Sequence, residues 1–138
     1  MEYYKDFDGW NNYKKKISCG EASVFFRERE VWWCAFGINV GVEMDGKNLF
    51  YERPILILRK INRTSAWILP LSSRLKKSTY FYHLASLSSY VSLSQIKMID
   101  TRRLLRKDSS ISLQEYLEII EKIKNILLHN ETSPAHTR

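Results

Sequence analysis

Apolar residues in the middle of this chain come in short runs separated by polar and glycine-bearing stretches. Val31-Trp32-Trp33-Cys34-Ala35-Phe36, Ile55-Leu56-Ile57-Leu58 and Ala66-Trp67-Ile68-Leu69 are too short for helices and rich in β-branched and aromatic residues, which predicts strands. The first strand is placed at Glu30 to Phe36, the second at Glu52 to Lys60 and the third at Thr64 to Leu69, with Asn62-Arg63-Thr64 as a tight turn. The unbroken aliphatic run of the second implies burial on both faces. Neighbouring tryptophans on the first point to opposite faces. One enters the core, and the other needs a second apolar surface, such as an N-terminal helix or a partner subunit. A basic loop, Leu71 to Ser78, precedes further strands at Thr79 to Leu84 and Tyr90 to Ile96, then Met98-Ile99-Asp100. Thr101 to Lys107 reads as a short turn and an edge strand.

The pattern changes to helical spacing at both ends. Residues 4 to 17 predict a short helix capped by Asp8, with Trp10, Tyr13 and Ile17 on one face and Lys14 to Lys16 near its C-terminal end. Near the other end Ser112-Leu113-Gln114-Glu115 has the spacing of a capping box. It leads into a stripe of Leu113, Tyr116, Leu117, Ile120, Ile123 and Leu127 that is expected to face the core. Residues 131–138 read as a flexible tail. The domain reading is therefore a helical extension and connector over 1–23, one folded domain over 24–130, and the tail.

Several short strands with a C-terminal helix predict a mainly β (α+β) fold, a small bent antiparallel sheet against that helix. The 138 residues suit one domain, and 44% hydrophobic with 27% charged residues is the balance of a soluble protein. No run approaches the ~20 apolar residues of a membrane span, and the N-terminus lacks the apolar segment of a signal peptide. A cytoplasmic location and no membrane partner are expected. The formal net charge of +7 favours a polyanion or an acidic protein as partner. Cys19 and Cys34 are too few for a four-ligand zinc site, and Cys34 belongs to the core. No metal and no cofactor are expected.

Candidate chemistry gathers in residues 31–73. The loop Gly37 to Asn48 carries Glu43, Glu52-Arg53-Pro54 opens the second strand, and Pro70-Leu71-Ser72-Ser73 closes the third. Pro54 lacks an N–H and belongs at a strand start, and the residue before it is held extended. That aims Arg53 from the strand mouth, where a planar, always charged fork suits a phosphate. A loop carboxylate, this arginine and two hydroxyls are thus expected at one rim.

Gly-x-Glu, a glycine-rich loop, Arg-Pro before an aliphatic strand, Pro-x-Ser-Ser, and the later Leu93-Ser94-Gln95-Ile96-Lys97-Met98-Ile99-Asp100 together resemble the MazF/PemK toxins, small ribonucleases of bacterial toxin–antitoxin pairs. The resemblance covers about Glu28 to Lys107 and runs on into the last helix. It implies an SH3-like barrel with helical additions, working as a homodimer against a cognate acidic antitoxin. It also implies metal-independent, sequence-selective cleavage of single-stranded RNA, by attack of the 2′-hydroxyl to give 2′,3′-cyclic phosphate and 5′-hydroxyl ends. Arg53 matches the family's phosphoryl-binding arginine, and Ser72 stands where the family has a catalytic threonine. Glu43 is the matching loop carboxylate, either the proton acceptor or a loop-holding group. Gln95 matches a glutamine near the RNA groove. Ser73, Arg74, Lys76, Lys77 and Tyr51 are further expected RNA contacts, offering a hydroxyl, charge or a stacking face. Several positions depart from the family pattern: Val42 where a polar residue is common, Met44 where Gln is common, and Ser94 where some members carry an acid. The last two motivate the alternative of an RNA-binding barrel without catalysis.

Overall fold

The computed structural model describes residues 4–22 and 24–128, so the tail expected at 131–138 lies outside the described residues. Helix α1 (Phe7–Ser18) is followed by β1 (Glu30–Ala35), β2 (Glu52–Asn62), β3 (Ser65–Ser72), β4 (Phe81–Leu84), β5 (Ser89–Ser92), β6 (Lys97–Asp100), β7 (Leu104–Ser110) and helix α2 (Leu113–Leu128). One antiparallel sheet of order β4-β5-β3-β2-β1-β7 carries the fold, with β6 paired to β3 off that path. This is the expected α+β class. Among the described strands no ladder joins β7 to β4 or β6, so the sheet curls without closing.

The fork at β3 explains the openness. Ser65 to Ile68 pair with β6, whereas Leu71 and Ser72 pair with β5. Pro70, which has no N–H to offer, falls in the gap between the two ladders. β3 therefore continues through Pro70 to Ser72, three residues beyond the expected end at Leu69. The strand expected over Tyr90 to Ile96 is divided: β5 ends at Ser92, and residues 93–96 leave the ladder before β6 begins.

β2 alternates between two cores, as its sequence implied. Ile55 and Ile57 join Phe26, Trp32, Cys34, Phe36 and Ile68 on one face. Leu56 and Leu58 join Val31, Leu69, Leu71, Val91 and Ile119 on the other, beneath α2. Burial pushes the Cys34 thiol up to about 12, so it is a core group and not a nucleophile. Of the tryptophan pair, Trp32 enters the core, and Trp33 has the Arg106 guanidinium over its ring at 5.0 Å instead of a helix.

The apolar face of α1 is the expected one, but its cap is not, and α2 differs in phase. α1 is capped by Asp6, whose carboxylate accepts the Gly9 N–H at 2.9 Å, while Asp8 lies inside the first turn. Trp10 is buried there with Ala35 and Ile38, and Tyr13, Ile17 and Tyr51 pack around it. On α2 the capping box forms as read, with Glu115 N–H donating to Ser112 Oγ at 3.0 Å. The core stripe shares only Tyr116 and Ile123 with the expected one. Ile119 is buried and Tyr116, Ile123 and Ile126 pack with it, whereas Leu113, Leu117, Ile120 and Leu127 are exposed. At about 100° per residue each set spans an arc of about 80°, side by side. The helix is apolar over roughly twice the arc that the sheet covers, and the pattern alone did not say which half turns inward. No helix among the described residues is long and apolar enough to cross a membrane.

Candidate functional site

The loop between β1 and β2 lacks regular structure and is tied at nearly every residue. Its neck is main chain: Phe36 and Gly37 N–H both donate to Tyr51 O, Gly46 N–H donates to Gly37 O at 2.7 Å, and Lys47 and Glu52 exchange a pair of bonds. A Cβ at Gly46 would overlap the Tyr51 carbonyl, so only glycine fits there. Within the loop the buried Asp45 carboxylate accepts the Asn39 N–H at 2.6 Å, and the Asn39 amide donates to Met44 O at 2.8 Å.

Each expected site residue has a definite place in this arrangement. Glu43 is exposed and accepts the Val40 N–H at 3.0 Å, a bond that holds the loop. Gln95 accepts the Met44 N–H at 2.9 Å and fastens the loop to the segment before β6. Arg53, half-buried at the start of β2, donates from Nε to Asp45 O at 2.6 Å and from a terminal nitrogen to Leu71 O at 2.8 Å. Its guanidinium thus bridges the Glu43 loop and the peptide that leads into Ser72. Ser72 is buried, and its oxygen accepts the Arg74 N–H at 3.2 Å, which shapes the first turn of the basic loop. Ser73, Arg74 and Lys77 are exposed, and the Lys76 ammonium lies 5.3 Å over the Phe81 ring.

Tyr51 stands apart from the others. Its ring packs against Trp10 and Tyr13 with centroids 5.6 and 6.1 Å away, and its hydroxyl donates to Asp6. That bond raises the phenol above its ordinary pKa. The ring expected as an open stacking surface is instead part of the seat of α1. Its positive φ of 50° turns the chain into β2 and takes the ring toward the helix.

Glu43 and Gln95 line a cleft of about 360 Å³ with Phe36, Met44 and Lys97. Lys97 was not singled out from the sequence. Its ammonium sits 4.8 Å over the Phe36 ring. Burial and then the nearby Arg103 push its pKa below the ordinary lysine value. Among the described residues its ammonium makes no hydrogen bond or salt bridge. A half-desolvated cation beside a polar cleft is suited to an anion. Its only sequence signal is its place two residues after Gln95.

A second depression, of about 740 Å³, is apolar and runs between α2 and residues of β2 and β3. Trp67, Ile61, Ile96, Ile120 and Leu127 line it, with Arg59 and Lys124 also at its walls.

Residues 27–127 match the family model described as a PemK-like, MazF-like toxin of type II toxin–antitoxin system. No protein of curated function matches the sequence. Among solved structures, an endoribonuclease in complex with its cognate antitoxin from mycobacterial species is similar, with TM-score 0.55 and 13% identity, covering 79% of this chain and 100% of that one. An Mtb toxin crystal structure is similar with TM-score 0.47 and 22% identity, covering 53% of this chain and 90% of that one.

Proposed function

We propose, from the premise that this chain belongs to the PemK-like, MazF-like toxins of type II toxin–antitoxin systems, that it is a sequence-selective endoribonuclease acting on single-stranded RNA. The observation that carries the reading is the Arg53 bridge. One guanidinium is bonded both to the loop that holds Glu43 and to the peptide before Ser72, the segments on which the expected chemistry depends.

The reaction needs four things. The 2′-hydroxyl must be in line with the adjacent phosphorus, lose its proton, find positive charge for the phosphoryl oxygens, and leave a protonated 5′-oxygen. Single strands allow the in-line geometry and let bases splay outward to be read. Glu43 holds its loop with one oxygen and offers the other to the 2′-hydroxyl proton. As the new O–P bond forms and the P–O5′ bond breaks, charge on the phosphoryl oxygens falls to the Arg53 edge and to Lys97 in the cleft, an arrangement of preorganised donors. The departing 5′-oxygen takes a proton from solvent water and Glu43 returns its own to solvent, so the products are a 2′,3′-cyclic phosphate and a 5′-hydroxyl, and no step requires a metal. Ser73, Arg74, Lys76 and Lys77 of the basic loop bind the flanking backbone.

The apolar groove beside α2 supports the homodimer, since a second copy would cover the exposed strip of that helix. Arg59 and Lys124 beside it, with the net charge of +7, suit an acidic antitoxin. The similar fold solved as an endoribonuclease with its cognate antitoxin supports a partner of that kind.

One observation favours a second reading, an RNA-binding module without catalysis: Glu43 and Ser72 each use an oxygen for main-chain N–H groups. Incubating the purified chain with a long single-stranded RNA in EDTA separates the two. Discrete cuts with cyclic-phosphate and 5′-hydroxyl ends are expected. Binding with no cuts would favour the module, and 3′-hydroxyl ends would overturn the mechanism.

A further inference from the structure

The segment before the family match, residues 5–18, is fastened to the candidate site by more than packing. Lys5 Nζ donates to Asn39 O at 2.7 Å and to Gly41 O at 3.1 Å, and lies 3.3 Å from Asp45 Oδ2. These contacts use the three protons of an ammonium group, and all three acceptors belong to the Glu43 loop. The Lys5 and Asp45 side chains are 21% and 10% exposed, so solvent screens the pair less than it would a surface contact. Asp45 passes the contact on, because its carboxylate also takes the Asn39 N–H and its carbonyl takes Arg53 Nε. Lys5, Asp45 and Arg53 therefore form one connected chain.

Asp6 and Trp10 keep Lys5 in register. Asp6 caps α1 and accepts the Tyr51 hydroxyl beside the start of β2. Trp10 sits over Gly37 at the loop's neck, where φ is 95° and a side chain would overlap the indole. Arg102 holds the far end through Ser18 O at 2.8 Å.

We propose that Lys5 is a positioning residue, and that the N-terminal segment is a built-in brace that holds the Glu43 loop, and Arg53 through Asp45, in the geometry RNA cleavage needs. The proposal rests on the ribonuclease reading for its catalytic part. Its structural part stands on the loop alone. A loop ordered before substrate arrives spends no binding energy on its own ordering, so losing the brace should lower kcat and spare binding through residues 73–77.

The test compares wild type, Lys5→Met, Lys5→Arg and Arg102→Met by amide exchange and by steady-state RNA cleavage. In Lys5→Met, exchange across residues 39–46 should rise about tenfold while β2 and β3 keep their protection. Its kcat should fall about tenfold with KM within about twofold, and Lys5→Arg should recover most of both. Arg102→Met, which releases the far end of α1 and the Arg102–Asp100 pair but none of the Lys5 contacts, should match wild type in exchange across residues 39–46 and in cleavage. Should Lys5→Met fail to fold, Lys5→Gln is read in the same way. Unchanged loop exchange in Lys5→Met would overturn the brace. So would exchange rising equally in the core strands, an unchanged kcat despite a loosened loop, or an Arg102→Met variant that behaves like Lys5→Met. A wild-type chain that cuts no RNA would sink the ribonuclease reading instead, and the exchange comparison would still decide on the brace.

Discussion

Replacing Arg53 by alanine should damage both chemistry and stability, and the two effects can be separated. The side chain makes two charge-assisted bonds to main-chain carbonyls, Asp45 O at 2.6 Å and Leu71 O at 2.8 Å. Bonds of this kind contribute ~1.5–3 kcal/mol each. The site is only half-buried, so water can reach the stranded carbonyls and the low end applies, giving a loss of about 2–3 kcal/mol. For a chain of this size that is a fall in melting temperature of ~5–10 °C. Chemical denaturation of Arg53→Ala measures the first effect as a lower midpoint with unchanged slope. Cleavage below the melting range measures the second, and removal of a phosphoryl donor should lower the rate ~100–1000-fold. Arg53→Lys keeps a charge, but a single ammonium bridges the Asp45 and Leu71 carbonyls, which lie on two separate backbone segments, less well than a planar fork. It should regain part of the stability and little of the rate. A wild-type denaturation midpoint in Arg53→Ala would refute the bridging role, and wild-type cleavage would remove Arg53 from the reaction.

Gly46→Ala should cost at least about 2 kcal/mol, because the new methyl group meets the Tyr51 carbonyl, which is main chain and cannot swing aside; a denaturation midpoint equal to wild type would contradict this. Lys97→Met should weaken RNA binding and reduce the slope of log affinity against log salt by about 1, whereas an unchanged slope would mean that no phosphate reaches the cleft. Asp100 is held down to about 2 by its hydrogen bonds to Arg102. A depressed carboxylate stabilises above its unfolded pKa and loses that contribution as pH falls through the folded one. Asp100→Asn should therefore cost less than ~1 kcal/mol at neutral pH, since the pair is exposed, and the gap to wild type in urea titrations should shrink between pH ~4 and about 2. A gap that widens with acid would reverse the sign of this argument.

Strands with a decisive period were legible in the sequence. β2 declared its two-faced burial through Ile55 to Leu58, and the capping box at Ser112 and Glu115 fixed the start of α2. What the sequence left open was phase. Asp6 and Asp8 are both plausible caps two residues apart, and α2 offers two adjacent apolar strips, of which tertiary packing selects one. The fork of β3 was hidden because a proline usually ends a strand, and only the exchange of partners around Pro70 makes it tolerable. At the candidate site the motif located Glu43, Arg53, Ser72 and Gln95, but residue types do not say what each side chain bonds. Arg53 reads as a ligand-facing fork and is also a bridge between two backbone segments. Lys5 lies 34 positions from its first acceptor, Asn39, and no local pattern carries a contact at that separation.

The uncovered strip of α2 has a practical consequence. A preparation of this chain without its partners carries an oily seam formed by Leu113, Leu117, Ile120 and Leu127. Such a seam adheres to plastic, detergent and neighbouring molecules as concentration rises. Turnover numbers measured at a single dilution would then mix the reaction with self-assembly, and a dilution series is needed to tell them apart.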